Sequence, residues 1–184
     1  MKQLYWRFYK AARRGDADTV VRLLQSNPEL HSYEGQAGTV LEILDRKAPE
    51  LLEPAFRAGL SPNAEPSRRC QTLLQQAASE GDVDRLRLLI RYGADLERRN
   101  HSGEVALGYA CSWEQLEAVK ILVEAGADVN CIEADPETGY RNTPLDCAHR
   151  YPEIAAYLRS KGAKYLEELE GGTAGAPSAD NTAL

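Results

Sequence analysis

The feature that most limits what this chain can fold into is a repeat of its own sequence at a fixed spacing of 33 residues. The segment TLLQQAASEGDVDRLRLLIRYGADLE at 72–97 recurs as VALGYACSWEQLEAVKILVEAGADVN at 105–130. Thr39, Thr72 and Val105 keep the same interval, and Ala11, Ala12 and Gly15 lie two periods before Ala77, Ala78 and Gly81. A last copy opens at NTPLDCAHR, with Thr143, Pro144 and Leu145 in the same role, and ends at SKGAK around Gly162. A unit this short cannot bury an apolar face alone, so a fixed period predicts a row of copies that stabilise one another.

Within a copy the pattern is two short helices and a turn. In the third copy Thr72 is placed as an N-cap, with Leu73, Leu74, Ala77 and Ala78 at helical spacing behind it. Gly81 stops that helix, Asp82 caps the next, Leu86, Leu89 and Ile90 share one of its faces, and Gly93 ends it. Pro144 sits at the first helical position of the last copy, where a missing N–H loses nothing. The paired alanines are small enough to let helices of adjacent copies approach closely.

The period, Thr143-Pro144-Leu145, the Ala-Ala pairs, and GAD followed by LE or VN at 93–97 and 126–130 together resemble the ankyrin repeat family, over about residues 3–168. The resemblance implies an all-α fold, an ankyrin-repeat solenoid of about five helix-turn-helix repeats with short finger loops. The copies are expected near 3–35, 36–69, 70–102, 103–140 and 141–168. The second copy departs most, with Leu44 and Asp45 in place of Ala-Ala, and Pro49 and Pro54 shortening its second helix. The His that follows Thr-Pro-Leu in the family is replaced by Gln75, Gly108 and Asp146, so the usual hydrogen bond between repeats must be lost or remade. End copies need a polar outer face. Lys2, Arg7 and Lys10, interleaved with Tyr5, Trp6, Phe8 and Tyr9, suit the first copy, and Glu153, Arg159 and Lys161 the last. Residues 171–184 lack apolar periodicity and read as a disordered tail.

Composition excludes several functions. The net charge of −6 argues against a general nucleic-acid binder. It is unevenly spread: residues 1–92 hold 14 Lys/Arg against 12 Asp/Glu, a net of +2, and residues 93–184 hold 8 against 16, a net of −8. No apolar run approaches the roughly 18 residues needed to cross a bilayer. The N-terminus mixes cations into its aromatics, unlike a secretory signal, so the chain reads as cytoplasmic with no membrane partner. Cys70, Cys111, Cys131 and Cys147 form no CxxC pair and read as reduced thiols. The glycines at 171–175 have no strand before them or helix after them, so a phosphate loop is not expected. Cys147 and His149 lack further ligands at metal spacing, His31 and His101 fall in loops, and no Ser/His/Asp set stands out. No catalytic, cofactor or metal site is expected.

In the family, partners bind a concave face lined by the first helices and the finger loops. The two residues after each Ala-Ala position project there. They are Arg13 and Arg14, Arg46 and Lys47, Ser79 and Glu80, Ser112 and Trp113, and Arg150 and Tyr151, predicted to form one strip with cations at one end and aromatics at the other. Finger tips add Arg68, Arg69, Arg98, Arg99, His101, Tyr140 and Arg141. Trp and Arg are enriched at binding hot spots. The bland alternative makes these residues solvated helix ends and Trp113 a core residue out of register. Gly126 to Thr143 is 17 positions against 12 from Gly93 to Val105, so the finger within 132–140 carries about five extra residues, acidic and Pro-containing.

The expected function is a monomeric protein-protein interaction module, not an enzyme, that binds another protein with an acidic and apolar surface and acts as inhibitor or adaptor. Two rivals stay open: a bacterial immunity protein neutralising a toxin, and an enzyme whose site no motif marks. Two smaller readings accompany them. Asn130 resembles the ankyrin context in which an Asn is hydroxylated, or it stabilises its turn. The ending Thr182-Ala183-Leu184 resembles a PDZ ligand.

Overall fold

The computed structural model describes residues 1–64 and 71–171. Arg68, Arg69 and Cys70, the predicted tail from residue 172 onward and its ending Thr182-Ala183-Leu184 lie outside the described residues. The chain divides into two compact units, the first from residues 1–73 and 88–95, the second from residues 74–87 and from 96 onward.

In the first unit, α1 (Lys2–Arg13) turns through Gly15 into α2 (Ala17–Ser26). Asp16 caps α2 by accepting the Thr19 N–H at 3.0 Å. A 3-10 turn at Pro28–Leu30 leads to a two-stranded hairpin, β1 (Glu34–Gly35) and β2 (Gly38–Thr39), with Glu34 opposite Thr39. Next come α3 (Val40–Lys47), a 3-10 turn at Pro49–Leu51, and α4 (Leu52–Arg57). Thr39 and Glu42 form a capping box at the start of α3. As the two prolines predict, the second helix of this copy is short: α4 has six residues against ten in α2. Helix α1 packs on α2 and α3, and α2 on α4, around Tyr5, Phe8, Leu24, Ile43, Leu44 and Leu52. The Tyr5 hydroxyl accepts the Ala37 N–H at 3.0 Å and donates to the Gly38 carbonyl at 2.9 Å, which ties the hairpin tip to α1.

Helix α5 (Leu73–Glu80) follows directly on Thr72, and α6 (Val83–Arg91) starts where Asp82 accepts the Arg85 N–H at 3.0 Å. Leu86 and Leu89 are fully buried and Ile90 half-buried, as the shared face predicts. The second unit continues with α7 (Ala106–Ser112), α8 (Leu116–Glu124), a hairpin of β3 (Glu133–Ala134) and β4 (Arg141–Asn142), α9 (Pro144–Cys147), α10 (Pro152–Ser160) and α11 (Leu166–Leu169). Helix α7 packs on α8 and α9, and α10 on both α8 and α9. Ala110 of α7 is among its fully buried side chains, with Leu107, Leu122 and Leu145. Among the described residues, strand occurs only as the two finger hairpins, so the fold is all-α as the repeat pattern requires.

Candidate functional site

The fingers are held by polar groups at the starts of the first helices. The third helical residue decides how. In α3 the Glu42 carboxylate accepts the Thr39 N–H at 2.8 Å, and in α9 the Asp146 carboxylate accepts the Thr143 N–H at 2.8 Å and the Leu166 N–H at 3.0 Å. At the same place in α5, buried Gln75 donates to the Arg98 and Glu104 carbonyls, each at 2.9 Å, so the hydrogen bond lost with the family's His is remade by an amide.

In α7 that residue is Gly108 and the cap is Val105, so the helix has neither a hydroxyl nor an acid of its own. Glu133 of the next finger supplies the acid. Its Oε1 accepts the Val105 N–H at 2.7 Å, and a Cβ on Gly108 would lie 2.1–2.5 Å from its carboxylate. Gly103 makes matching room, since a Cβ there would lie 2.0 Å from the Ala134 carbonyl oxygen. The extra residues of this finger therefore do not form a wholly exposed acidic loop. Glu133 is only 4% exposed, and β3 seats its carboxylate against the start of α7.

Burial pushes the Glu133 pKa up to about 7, with the Val105 N–H opposing the shift and Glu104 adding to it. Around it, burial raises the Cys111, Cys131 and Cys147 thiols further above their ordinary range. Such thiols stay protonated and unreactive. Asn142 donates to the Cys147 Sγ at 3.3 Å.

A second set of bonds links the turns after the second helices. Asn63 donates to the Gly93 carbonyl and accepts the Asp95 N–H, both at 2.9 Å. Asn130 donates to the Gly162 carbonyl at 3.1 Å and accepts the Lys164 N–H at 2.8 Å. Between them in sequence, Glu97 accepts the Asp128 N–H at 2.9 Å. The carboxamide of Asn130 thus serves its turn.

In the first unit, Arg13, Arg14, Arg46 and Lys47 are all exposed, at the ends of α1 and α3. A cleft of about 210 Å3 lies beside them, lined by Tyr9, Ala37, Glu42, Ile43, Arg46 and Lys47. Arg13 lies over the ring of Tyr9, one of the lining residues, with its guanidinium carbon 5.9 Å from the ring centre.

In the second unit, Ser79 is half-buried and donates to the Gln76 carbonyl at 2.9 Å, while Glu80 accepts from Gln76 and pairs with Arg85. Trp113, at the end of α7, is 61% exposed, although Ala110 and Cys111 of that helix are buried. The core placement of Trp113 is thereby excluded. Exposed Ser112 precedes it, and the hydroxyl of half-buried Tyr151 comes to 3.5 Å from the Ser112 carbonyl. Arg150 is exposed, its Nε 3.2 Å from the His149 ring. Glu114 adopts φ +58°, the left-handed conformation that Gly15 and Gly81 take in the matching turns. That conformation costs a side-chain-bearing residue about 1–2 kcal/mol.

At the fingers, Arg98 is half-buried, Arg99 donates to the Gly103 carbonyl at 2.7 Å, and His101 is exposed at the tip. Tyr140 is 56% exposed, and Arg141 pairs with Glu170. Sequence reasoning missed Glu133, Glu114 and the exposed side of Tyr9. The glycine standing where other copies carry a polar residue is the signal for the first.

Short helix pairs joined by fingers, with polar and aromatic side chains at the helix ends and Cys111 and Cys131 buried, define a helical-repeat binding scaffold. The chain belongs to the ankyrin repeat family. Residues 8–133 and, overlapping them, 74–168 match that family's profile, described as ankyrin repeats in three copies. Ankyrin repeats are protein-protein interaction modules. Among its relatives are potassium channel AKT2/3 of Arabidopsis thaliana, 29% identical over 139 residues, and protein phosphatase 1 regulatory subunit 27 of Mus musculus, 39% identical over 85 residues. B-cell lymphoma 3 protein of Homo sapiens is 32% identical over 132 residues. The matches cover 74%, 46% and 67% of this chain but 16%, 53% and 29% of those proteins, so the chain spans about half or less of each relative's length. No described helix is long and apolar enough to cross a membrane.

Proposed function

We propose that the chain works by occupying the surface of another protein, as an inhibitor or adaptor, through the ends of its first helices and its fingers. Trp113 carries this reading. A tryptophan left mostly in water forgoes about 1.5–3 kcal/mol of burial, and its neighbours Ser112 and Tyr151 give it a polar surround. Anchors of that kind dominate binding energy where a partner desolvates them. The likeness to a phosphatase regulatory subunit supports a role exerted on another protein. The partner's surface carries an apolar patch to meet Trp113 and acidic groups to meet Arg13, Arg14, Arg46 and Lys47. Neutralisation of a basic toxin is the second reading, favoured by the net −8 of residues 93–184.

Affinity capture from native lysate, with the full chain and its Trp113→Ala variant as parallel baits, tests the proposal. A protein retained by the parent and lost by the variant is the expected result. Equal capture by both, with loss when Arg87 and Lys120 on the second helices are reversed to Glu, overturns it. A basic toxin among the Trp113-dependent proteins would select the second reading.

A further inference from the structure

We propose that the cleft between α1 and α3 is a binding site for a phosphate monoester, a phosphorylated side chain on the partner. This rests on the reading above that the first-helix ends form the partner face, and it names what the first unit recognises there.

The charges around the cleft decide the class of ligand. Arg46 and Lys47 line it against the one carboxylate of Glu42, and Arg13 lies over the ring of Tyr9, a lining residue; counted with it, the three cations leave a net of +2. Among the described residues none of these three cations forms an ion pair. Arg57, Arg85, Arg141 and Arg159, by comparison, each hold a carboxylate. Glu42 cannot serve as the missing partner in full, because its Oε2 is engaged by the Thr39 N–H. A net of +2 is matched by a dianion rather than by a single carboxylate. Arginine's planar fork suits phosphate oxygens, and lysine adds a point charge.

The cleft also has room for an esterified phosphate: about 210 Å3 is ample for several waters, and so for a phosphate and the carbon that carries it. Tyr9 and Ile43 offer an apolar side to that carbon, and Trp6, 41% exposed, extends the aromatic surface edge-on to Tyr9 at 5.3 Å. Apart from Ala37 of the hairpin turn, the walls come from two packed helices, so the cations are presented by α3 and α1 rather than by a loop.

The test follows the backbone amides of the 15N-labelled full chain by NMR while capped Gly-phosphoSer-Gly is added, with Gly-Ser-Gly and Gly-Glu-Gly as controls. The expected shifts are confined to Tyr9, Ile43, Arg46, Lys47 and their neighbours and are produced by the phosphopeptide alone. Arg46→Glu with Lys47→Glu should weaken its affinity at least about tenfold. Arg87→Glu with Lys120→Glu, the same change in net charge on the second helices, should leave it unaltered. The milder Arg46→Gln, which adds no repulsive charge, should weaken it to a smaller degree.

A phosphate monoester loses its second proton near pH 6, so affinity should rise between about pH 5 and 7.5. No histidine lines the cleft, whose titratable and charged groups are Tyr9, Glu42, Arg46 and Lys47 with Arg13 beside them, so that rise belongs to the ligand. Equal shifts from Gly-Glu-Gly, shifts spread over the whole surface, or silence at the cleft overturn the phosphate assignment. Those outcomes leave partner capture through Trp113 intact, and failure of that capture leaves the cleft titration readable.

Discussion

At the scale of single residues, Glu133 is the group whose burial has the most measurable consequence. Its native pKa of about 7 lies above its ordinary 4.5, so between those values the folded chain holds a proton that the unfolded chain releases. Stability contributed by that proton is present below about pH 4.5 and is lost as pH rises through 7, by an amount on the order of 3 kcal/mol. The lowered carboxyls of Asp16, Asp135 and Glu168 act with the opposite sign and at more acid pH, so they do not mask it. Glu133→Gln keeps an acceptor for the Val105 N–H and removes the titration. Urea unfolding at several pH values should find the parent less stable at about pH 8 than at about pH 5, and the variant nearly level across that range. Parallel curves for the two proteins would mean that Glu133 does not bury an ionisable carboxylate. The sequence marks Glu133 only as one acid among several in a long finger. Its neighbours in space, Val105 and Gly108, are 28 and 25 positions away, and neither carries a charge that announces it.

At the scale of elements, the helices were legible because their signals are local. Thr39, Asp82, Thr143 and Pro144 open helices where the sequence places them, and Pro49 shortens the second helix of its copy. The fingers were less legible, because what fixes them is borrowed from another copy. A helix start with Val at the cap and Gly three residues on has an unanswered N–H, and β3 answers it from the next repeat. Gly108→Ala measures that arrangement. An exposed or open helix site would gain about 0.8–1 kcal/mol from alanine. Here the new Cβ would lie 2.1–2.5 Å from the Glu133 carboxylate and must displace it, leaving the Val105 N–H buried and unpaired at a cost of about 1–3 kcal/mol. Set against the gain of about 0.8–1 kcal/mol, the unpaired N–H leaves the variant destabilised by up to about 2 kcal/mol, and it should also lose the pH slope assigned to Glu133. A stabilised Gly108→Ala protein would show that the finger rests on α7 without that bond.

At the scale of the whole molecule, net charge and local charge make opposite predictions about the partner. A chain at −6 repels an acidic protein at long range, whereas Arg13, Arg14, Arg46 and Lys47 attract one at short range. Screening decides between them: at about 0.15 M salt the Debye length is about 8 Å, so a partner touching Arg13, Arg14, Arg46 and Lys47 feels those cations, while charges farther away than that length count for little. Exposed rim charges act mainly on association and desolvated aromatic anchors on dissociation. Reversing Arg13, Arg14 and Arg46 to Glu should therefore slow association with the captured partner and flatten its salt dependence, leaving dissociation nearly unchanged. Trp113→Ala should do the converse, speeding dissociation by an amount equivalent to about 2 kcal/mol or more. Both variants should stay folded, since all four side chains are exposed. Surface plasmon resonance at several salt concentrations separates the two rates. If both variants bind as the parent does, while changes at Arg87 and Lys120 on the second helices abolish binding, those helices are the working surface and the cations of α1 and α3 are solvated ends with no partner to meet.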